Sequence, residues 1–322
     1  MAVTEALRLL PIDASSYVCH PLHAPERDWP ETNCYVDLWI EVLHALGHDP
    51  VAGLAFTLGV GFDGDQWEFF KYPAEDLLAL YGIQVREINV WRSLDDHIAT
   101  HLALGHLLTV EADSWYLPDT AGVAYRLTHQ KTTIVPQHLD PANRRIGYFH
   151  NAGYFELEGE DYDGVLRLGD PDGLVPYVEL VAMERQVHRD PDALRAQVDG
   201  LVRGYVARRP TENPVAQLAA RITADLPWLR EHPDLFHAYA FGSLRQCGAW
   251  ASVAATFVRW LGNPATDAAA EHLDGISGLA KTAQFKLARV LAGRTVDLDE
   301  QLSTMASHWQ HAMATIAAAY GG

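Results

Sequence analysis

Apolar and polar positions follow two regimes along this chain. Over Glu31–Gly47 the apolar residues Val36, Ile40, Leu43 and Leu46 recur at three- and four-residue spacing, which predicts a helix with one buried face. Thr32 or Asn33 is placed to cap its N-terminus, and Gly47 to stop it. The glycine-punctuated apolar run Val51–Gly61 is expected to be a strand and turn. Pro73-Ala74-Glu75-Asp76 opens a short helix that ends at Gly82, and Ile83–Val90 alternates like a strand. Ser93, with Asp96 three residues later, reads as a capping box for a helix ending near Gly105. From Leu107 to Glu158 the pattern is that of β-structure. Leu107–Ala112, His129–Val135, Ile146–His150 and Tyr154–Leu157 are the strand-like runs, and Asp140-Pro141-Ala142-Asn143 is a turn.

Glycines and prolines cluster at Gly169–Pro176, and the composition changes there. Alanine- and leucine-rich segments near 177–188, 191–207, 213–230, 234–262, 264–292 and 297–320 are expected to be helical. The expected organisation is therefore α+β: an α+β domain over 1–175 followed by an α-helical domain over 176–322. Trp67, Phe69 and Phe70 are expected in the core, as is the Trp250–Trp260 segment.

Length and charge narrow the function classes. A chain of 322 residues with 48% hydrophobic content is long enough for one large or two ordinary domains. Its formal net charge of −18 argues against nucleic-acid binding and against docking on anionic lipid. Cys19, Cys34 and Cys247 are odd in number and too scattered for a disulfide framework, which points to a reducing compartment. No secretory pattern opens the sequence, and no run reaches the roughly eighteen apolar residues of a membrane span, so a cytoplasmic protein is expected.

Cys34 falls in the first turn of the first predicted helix. There the helix dipole and unpaired N–H groups favour the thiolate, the nucleophilic form. A cysteine nucleophile needs a base and a group that orients the base. His129 follows 95 positions later at a strand start, and Asn151 follows 22 further on, after a second strand. Two antiparallel strands joined at Asp140 would bring the ends carrying His129 and Asn151 together. Asp140, the rival orienting group, would lie at the far end of that hairpin. Each residue also has a plain structural alternative: Cys34 as a small buried hydrophobe, Asn151 as a turn residue, and His129 as one of 16 histidines. Cys19-His20-x-x-His23 offers metal-type ligands but no fourth one, so no metal is expected. His20 and His23 are read as structural or substrate-pocket groups. A phosphate loop, a Gly-x-Ser-x-Gly elbow and a His-Glu-x-x-His motif are all missing from the sequence.

Five blocks carry a resemblance: Glu31-Thr32-Asn33-Cys34-Tyr35-Val36-Asp37-Leu38-Trp39, Gly64-Asp65-Gln66-Trp67, Tyr116-Leu117-Pro118-Asp119-Thr120, His129-x-Lys131-Thr132-Thr133 and Gly147-Tyr148-Phe149-His150-Asn151-Ala152-Gly153-Tyr154. Together they resemble the bacterial DUF1839 family over most of the chain. More distantly, the first half is similar to the papain-like N-terminal domain of the butirosin-biosynthesis acyltransferase. The shared features are an early cysteine, an apolar segment like Ala55–Gly61, an Asp-x-x-Tyr-Leu-Pro segment at Asp113–Pro118, and the histidine strand.

That likeness implies a papain-like fold for 1–175 and acyl transfer from a carrier-protein thioester to an amine in specialised metabolism. The acyl group would arrive on the phosphopantetheine of an acyl or aminoacyl carrier protein, with no cofactor on the enzyme itself. Cys34 would form the acyl-enzyme, His129 would move protons, and Asn151 would hold the imidazole. The Cys34 N–H and the Asn33 side chain would face the oxyanion. Asp113, Trp115 and Tyr116 are expected to line the acyl or amine pocket, and Arg27 and Lys131 to meet a carboxylate or the pantetheine phosphate. A hydrolase on the same residues and a non-catalytic carrier-binding scaffold are the alternative classes.

Overall fold

The computed structural model describes residues 5–169 and 174–321. The chain divides into two compact units. The first comprises Met1–Ala24, Asn33–Pro50 and Tyr72–Arg189, and the second Pro25–Thr32, Val51–Lys71 and Asp190–Gly322.

In chain order the first unit holds β1 (Leu7–Arg8), α1 (Cys34–Ala45), α2 (Ala74–Tyr81), β2 (Gln84–Glu87), α3 (Leu94–Ala103), β3 (Leu107–Asp113), β4 (Lys131–Asp140), β5 (Arg145–His150), β6 (Gly153–Glu158), α4 (Glu160–Val165) and β7 (Val178–Ala182). The strands form an antiparallel sheet in the order β2-β7-β3-β4-β5-β6, and β1 pairs with the far end of β4. The unit is thus mixed α+β, as the pattern of residues implied. α1 packs across β4, β5 and β6, with Val36, Ile40 and Leu43 fully buried. Gly82 closes α2 in the left-handed region, with φ of 70°, where a side chain would also strike the Arg185 carbonyl.

Three local expectations are corrected. Residues 178–182 form a strand, not a helix. β7 lies between β2 and β3 with every residue buried, and a strand covered in this way loses the polar alternation that marks a half-exposed one. This strand belongs to the first unit, whose last segment runs to Arg189. The run Pro50–Gly59 is a series of 3₁₀ turns rather than a strand; Thr57 bonds back to the Leu54 carbonyl and no strand pairs with it. Ser93 precedes α3 but its hydroxyl makes no capping bond.

The second unit is helical: α5 (Pro191–Arg208), α6 (Pro214–Glu231), α7 (Phe236–Ala240), α8 (Gln246–Trp260), α9 (Asp267–Leu291) and α10 (Asp299–Tyr320). α7 runs through a π-helical turn, Phe241–Arg245, into α8. α9 packs between α8 and α10. Trp67 stacks on Trp250, and the Trp250 indole donates to the Thr57 carbonyl. Trp67 and Phe70 are core residues, whereas Phe69 is exposed. No helix among the described residues is long and apolar enough to cross a membrane.

Candidate functional site

Asn33 is extended, and its side-chain oxygen accepts from the N–H groups of Tyr35 and Val36 at 3.1 and 3.0 Å. The cap therefore starts α1 at Cys34 and occupies two of the first three helical N–H groups, leaving that of Cys34 outside it. The Cys34 thiol is half-buried. Burial pushes its pKa up, and the charge of Asp37 one turn along adds to this. A hydrogen bond from Thr132, the charge of Lys131 and the Tyr35 N–H pull the other way without reversing the outcome. The standing thiolate expected from a helix head alone is outweighed by desolvation.

The groups behind the thiol form a line. Thr132, near the start of β4, has its hydroxyl 2.8 Å from Nε2 of His150, the last residue of β5. The other ring nitrogen, Nδ1, lies 2.5 Å from Oδ2 of Asp119, and Tyr148 donates its hydroxyl to Oδ1 of the same carboxylate at 2.6 Å. The antiparallel pairing of β4 with β5 brings Thr132 and His150 together, and the tight turn Pro118–Thr120 delivers Asp119. His150 and Asp119 are both buried, with side-chain exposures of 1% and 3%. With Asp119 as acceptor the ring proton sits on Nδ1. Nε2 then accepts from the Thr132 hydroxyl, whose oxygen can in turn accept from the Cys34 thiol. From Thr132 onward the donors point one way, toward the carboxylate.

A second histidine–carboxylate pair stands at the same end of β4. Asp113 faces Lys131 across β3 and β4, and its Oδ2 lies 2.6 Å from Nδ1 of His129. Its other oxygen accepts from the Trp115 N–H. The His129 ring lies flat on the Trp115 indole at 4.5 Å and is 65% exposed, so its Nε2 edge is open to solvent. Lys131 is exposed beside Glu111, and Tyr116 packs under the Arg126 guanidinium and against Gly164.

The structure thus joins some of the expected residues and separates others. Asp113, not Asn151, holds the His129 ring. Asn151 is in the two-residue turn from β5 to β6, with φ of 44°, the turn role that was its plain alternative. Asp140 accepts from Asn143 at the far end of the hairpin, as expected of its position. Arg27 belongs to the second unit, where its guanidinium donates to the hydroxyls of Ser252 and Thr256. His20 caps a short turn through its ring, and burial followed by the nearby His44 holds its pKa at about 4. His23 is buried between Asp37 and Glu41. Thr132, His150, Asp119 and Tyr148 were not singled out by the sequence reading, although all four lie inside the sequence blocks quoted above.

Two family models match the chain. The family model of the DUF1839 N-terminal domain matches residues 18–183, and that of the DUF1839 C-terminal domain matches residues 191–318. The chain belongs to the DUF1839 family. A search of curated proteins found no match.

Proposed function

We propose that the protein is a cysteine-dependent acyltransferase with a papain-like first unit, taking an acyl or aminoacyl group from a carrier-protein thioester and passing it to an amine. The observation that carries this reading is the line Cys34–Thr132–His150–Asp119, a nucleophile backed by a one-way proton path that ends on a buried carboxylate.

In the first half-reaction the Cys34 proton passes through Thr132 to His150 Nε2 as sulfur attacks the thioester carbonyl. The resulting imidazolium lies against Asp119. The tetrahedral oxyanion meets the Cys34 N–H, the one the Asn33 cap leaves out. The carbonyl re-forms, the carrier's C–S bond breaks, and its sulfur leaves as a thiol with the proton returned by His150. In the second half an amine nitrogen attacks acyl-Cys34 and loses a proton to His129, whose exposed Nε2 and paired Asp113 suit a base acting on an incoming group. The C–S bond breaks, Cys34 leaves as a thiolate, and the proton taken up by His129 returns to it through solvent, restoring the thiol. Trp115 and Tyr116 flank that entry, and exposed Lys131 offers a cation to the pantetheine phosphate.

The test is acyl loading. Incubation with an acetyl- or aminoacyl-loaded carrier protein, without amine, adds the acyl mass to the Cys34 peptide, and an added amine removes it as amide. Loading followed by release only to water moves the protein to the hydrolases. Absence of acyl-Cys34 from thioester and amide donors alike overturns covalent catalysis.

A further inference from the structure

We propose that the second unit carries a binding site for a small organic ammonium ion, in a cavity lined by the indole of Trp228 and the carboxylate of Asp225.

Leu218, Arg221, Asp225 and Trp228 follow one another at three- and four-residue steps, so one face of α6 borders the cavity. Another wall comes from Ala238 and Tyr239 of α7 and from Gly242 and Ser243 of the π-helical turn. Such turns are rare and recur at functional sites. The cavity measures about 520 Å³, within the range that small-molecule sites occupy. A Cβ added at Gly242 would meet no atom within 4 Å, so the backbone there borders open space.

The polar groups select the charge of the occupant. Arg221 Nε donates to Asp225 Oδ2 at 2.7 Å, and the Tyr239 hydroxyl donates to the same oxygen at 2.9 Å. The far end of the Arg221 guanidinium lies 3.2 Å from Asp65, which also lines the cavity. Two carboxylates thus share one guanidinium, and a negative charge is left over. Burial, and then the bond to Asp225, push the Tyr239 phenol well above its ordinary range, so it stays a neutral donor. Both bonds to Asp225 fall on Oδ2, and among the described residues no donor reaches Oδ1. The Asp225 side chain is only 14% exposed, and a carboxylate oxygen so placed gains from a charged N–H.

Trp228 supplies the second contact. It is 45% exposed although its indole stacks on His232 at 4.7 Å. An aromatic ring beside an acceptor without a donor suits an organic ammonium. The ring quadrupole attracts the cation and the carboxylate takes its N–H. An anionic ligand would meet Asp65 and Asp225 around an arginine that both already engage.

The experiment is titration calorimetry of the full-length chain at pH 7 with benzylammonium chloride, benzyl alcohol and inorganic phosphate. Benzylammonium binds saturably at one site, at least about tenfold tighter than the alcohol of like shape. Phosphate gives no saturable heat. Asp225→Asn weakens benzylammonium about tenfold, and Trp228→Ala about two- to fivefold. Gly242→Leu, which fills the cavity and leaves Asp225 unaltered, abolishes binding and decides the matter if Asp225→Asn does not fold. Alcohol bound as tightly as ammonium, saturable phosphate, or wild-type affinity in a folded Asp225→Asn or Gly242→Leu variant each overturns the proposal. Binding alone is read, so failure of acyl transfer at Cys34 leaves this site untouched, and the reverse holds too.

Discussion

Thr132 Oγ1 lies 2.8 Å from His150 Nε2, on neighbouring antiparallel strands. A hydroxyl is both donor and acceptor, so in the proposed reaction this one bond would let a buried imidazole serve a thiol through an intermediary. It also fits a thiol pushed up by burial. Such a group is no preformed thiolate, and in the proposed reaction its proton would leave as the attack proceeds.

Thr132 therefore separates the relay from simple packing. Thr132→Val keeps the shape and removes the hydroxyl, and acyl loading of Cys34 falls about 10²- to 10⁴-fold, the scale of a lost general base. Thr132→Ser stays within about tenfold of wild type. His129→Ala slows the amine-dependent step more than loading. Equal loading rates for the valine variant and wild type would remove Thr132 from the mechanism.

Cys34 and Cys247 report their environments separately. Cys247 is fully buried and its thiol is pushed far up by desolvation, so it is alkylated only after unfolding. Cys34, also raised by burial, reacts with iodoacetamide more slowly near pH 7 than a free cysteine in a peptide. Its rate climbs past the ordinary thiol range as pH rises. Rapid labelling of native Cys34 at pH 6 would contradict the neutral resting thiol.

The layout of the molecule was largely legible in the residues, and the site only by half. Capping at Asn33, the run of α1, the hairpin around Asp140 and the helices beyond Pro191 all declare themselves through turn chemistry or long periodicity. The strand Val178–Ala182 does not, because a strand buried on both faces reads like a piece of helix. Cys34 and His129 stand at element starts, where spacing reveals them. His150 hides one residue before the asparagine that drew attention, and its proposed role depends on cross-strand register with Thr132 and on a turn that returns Asp119. Neither is local in sequence.

Stability carries a pH signature from His23. Its folded pKa of about 9 exceeds the ordinary 6.5, so the charged ring stabilises the fold fully below pH 6.5. That contribution is lost as pH rises through about 9, a fall on the order of 3 kcal/mol. Urea unfolding between pH 6 and 10 measures it. The decline shrinks in His23→Gln relative to wild type; parallel declines in the two proteins would assign the effect elsewhere.

Tyr35, the residue after Cys34, anchors the head of α1 to the sheet. Its hydroxyl donates to Glu179 Oε2 at 2.5 Å, and the same oxygen accepts from Thr109 at 2.8 Å. Tyr177 donates to the other oxygen at 3.1 Å. Glu179 is buried on β7, where a carboxylate depends on such donors because water does not replace them. Burial, and then the charge of Glu179, push the Tyr35 phenol well above its ordinary range, so the hydroxyl stays a donor at any working pH. Tyr35→Phe keeps the ring and removes one donor from a buried charge, at a cost of about 1.5–3 kcal/mol in urea unfolding. In a Glu179→Gln background no charge is left wanting, and the same substitution costs about 1 kcal/mol or less. Equal costs in the two backgrounds would show that the hydroxyl serves packing and not the carboxylate.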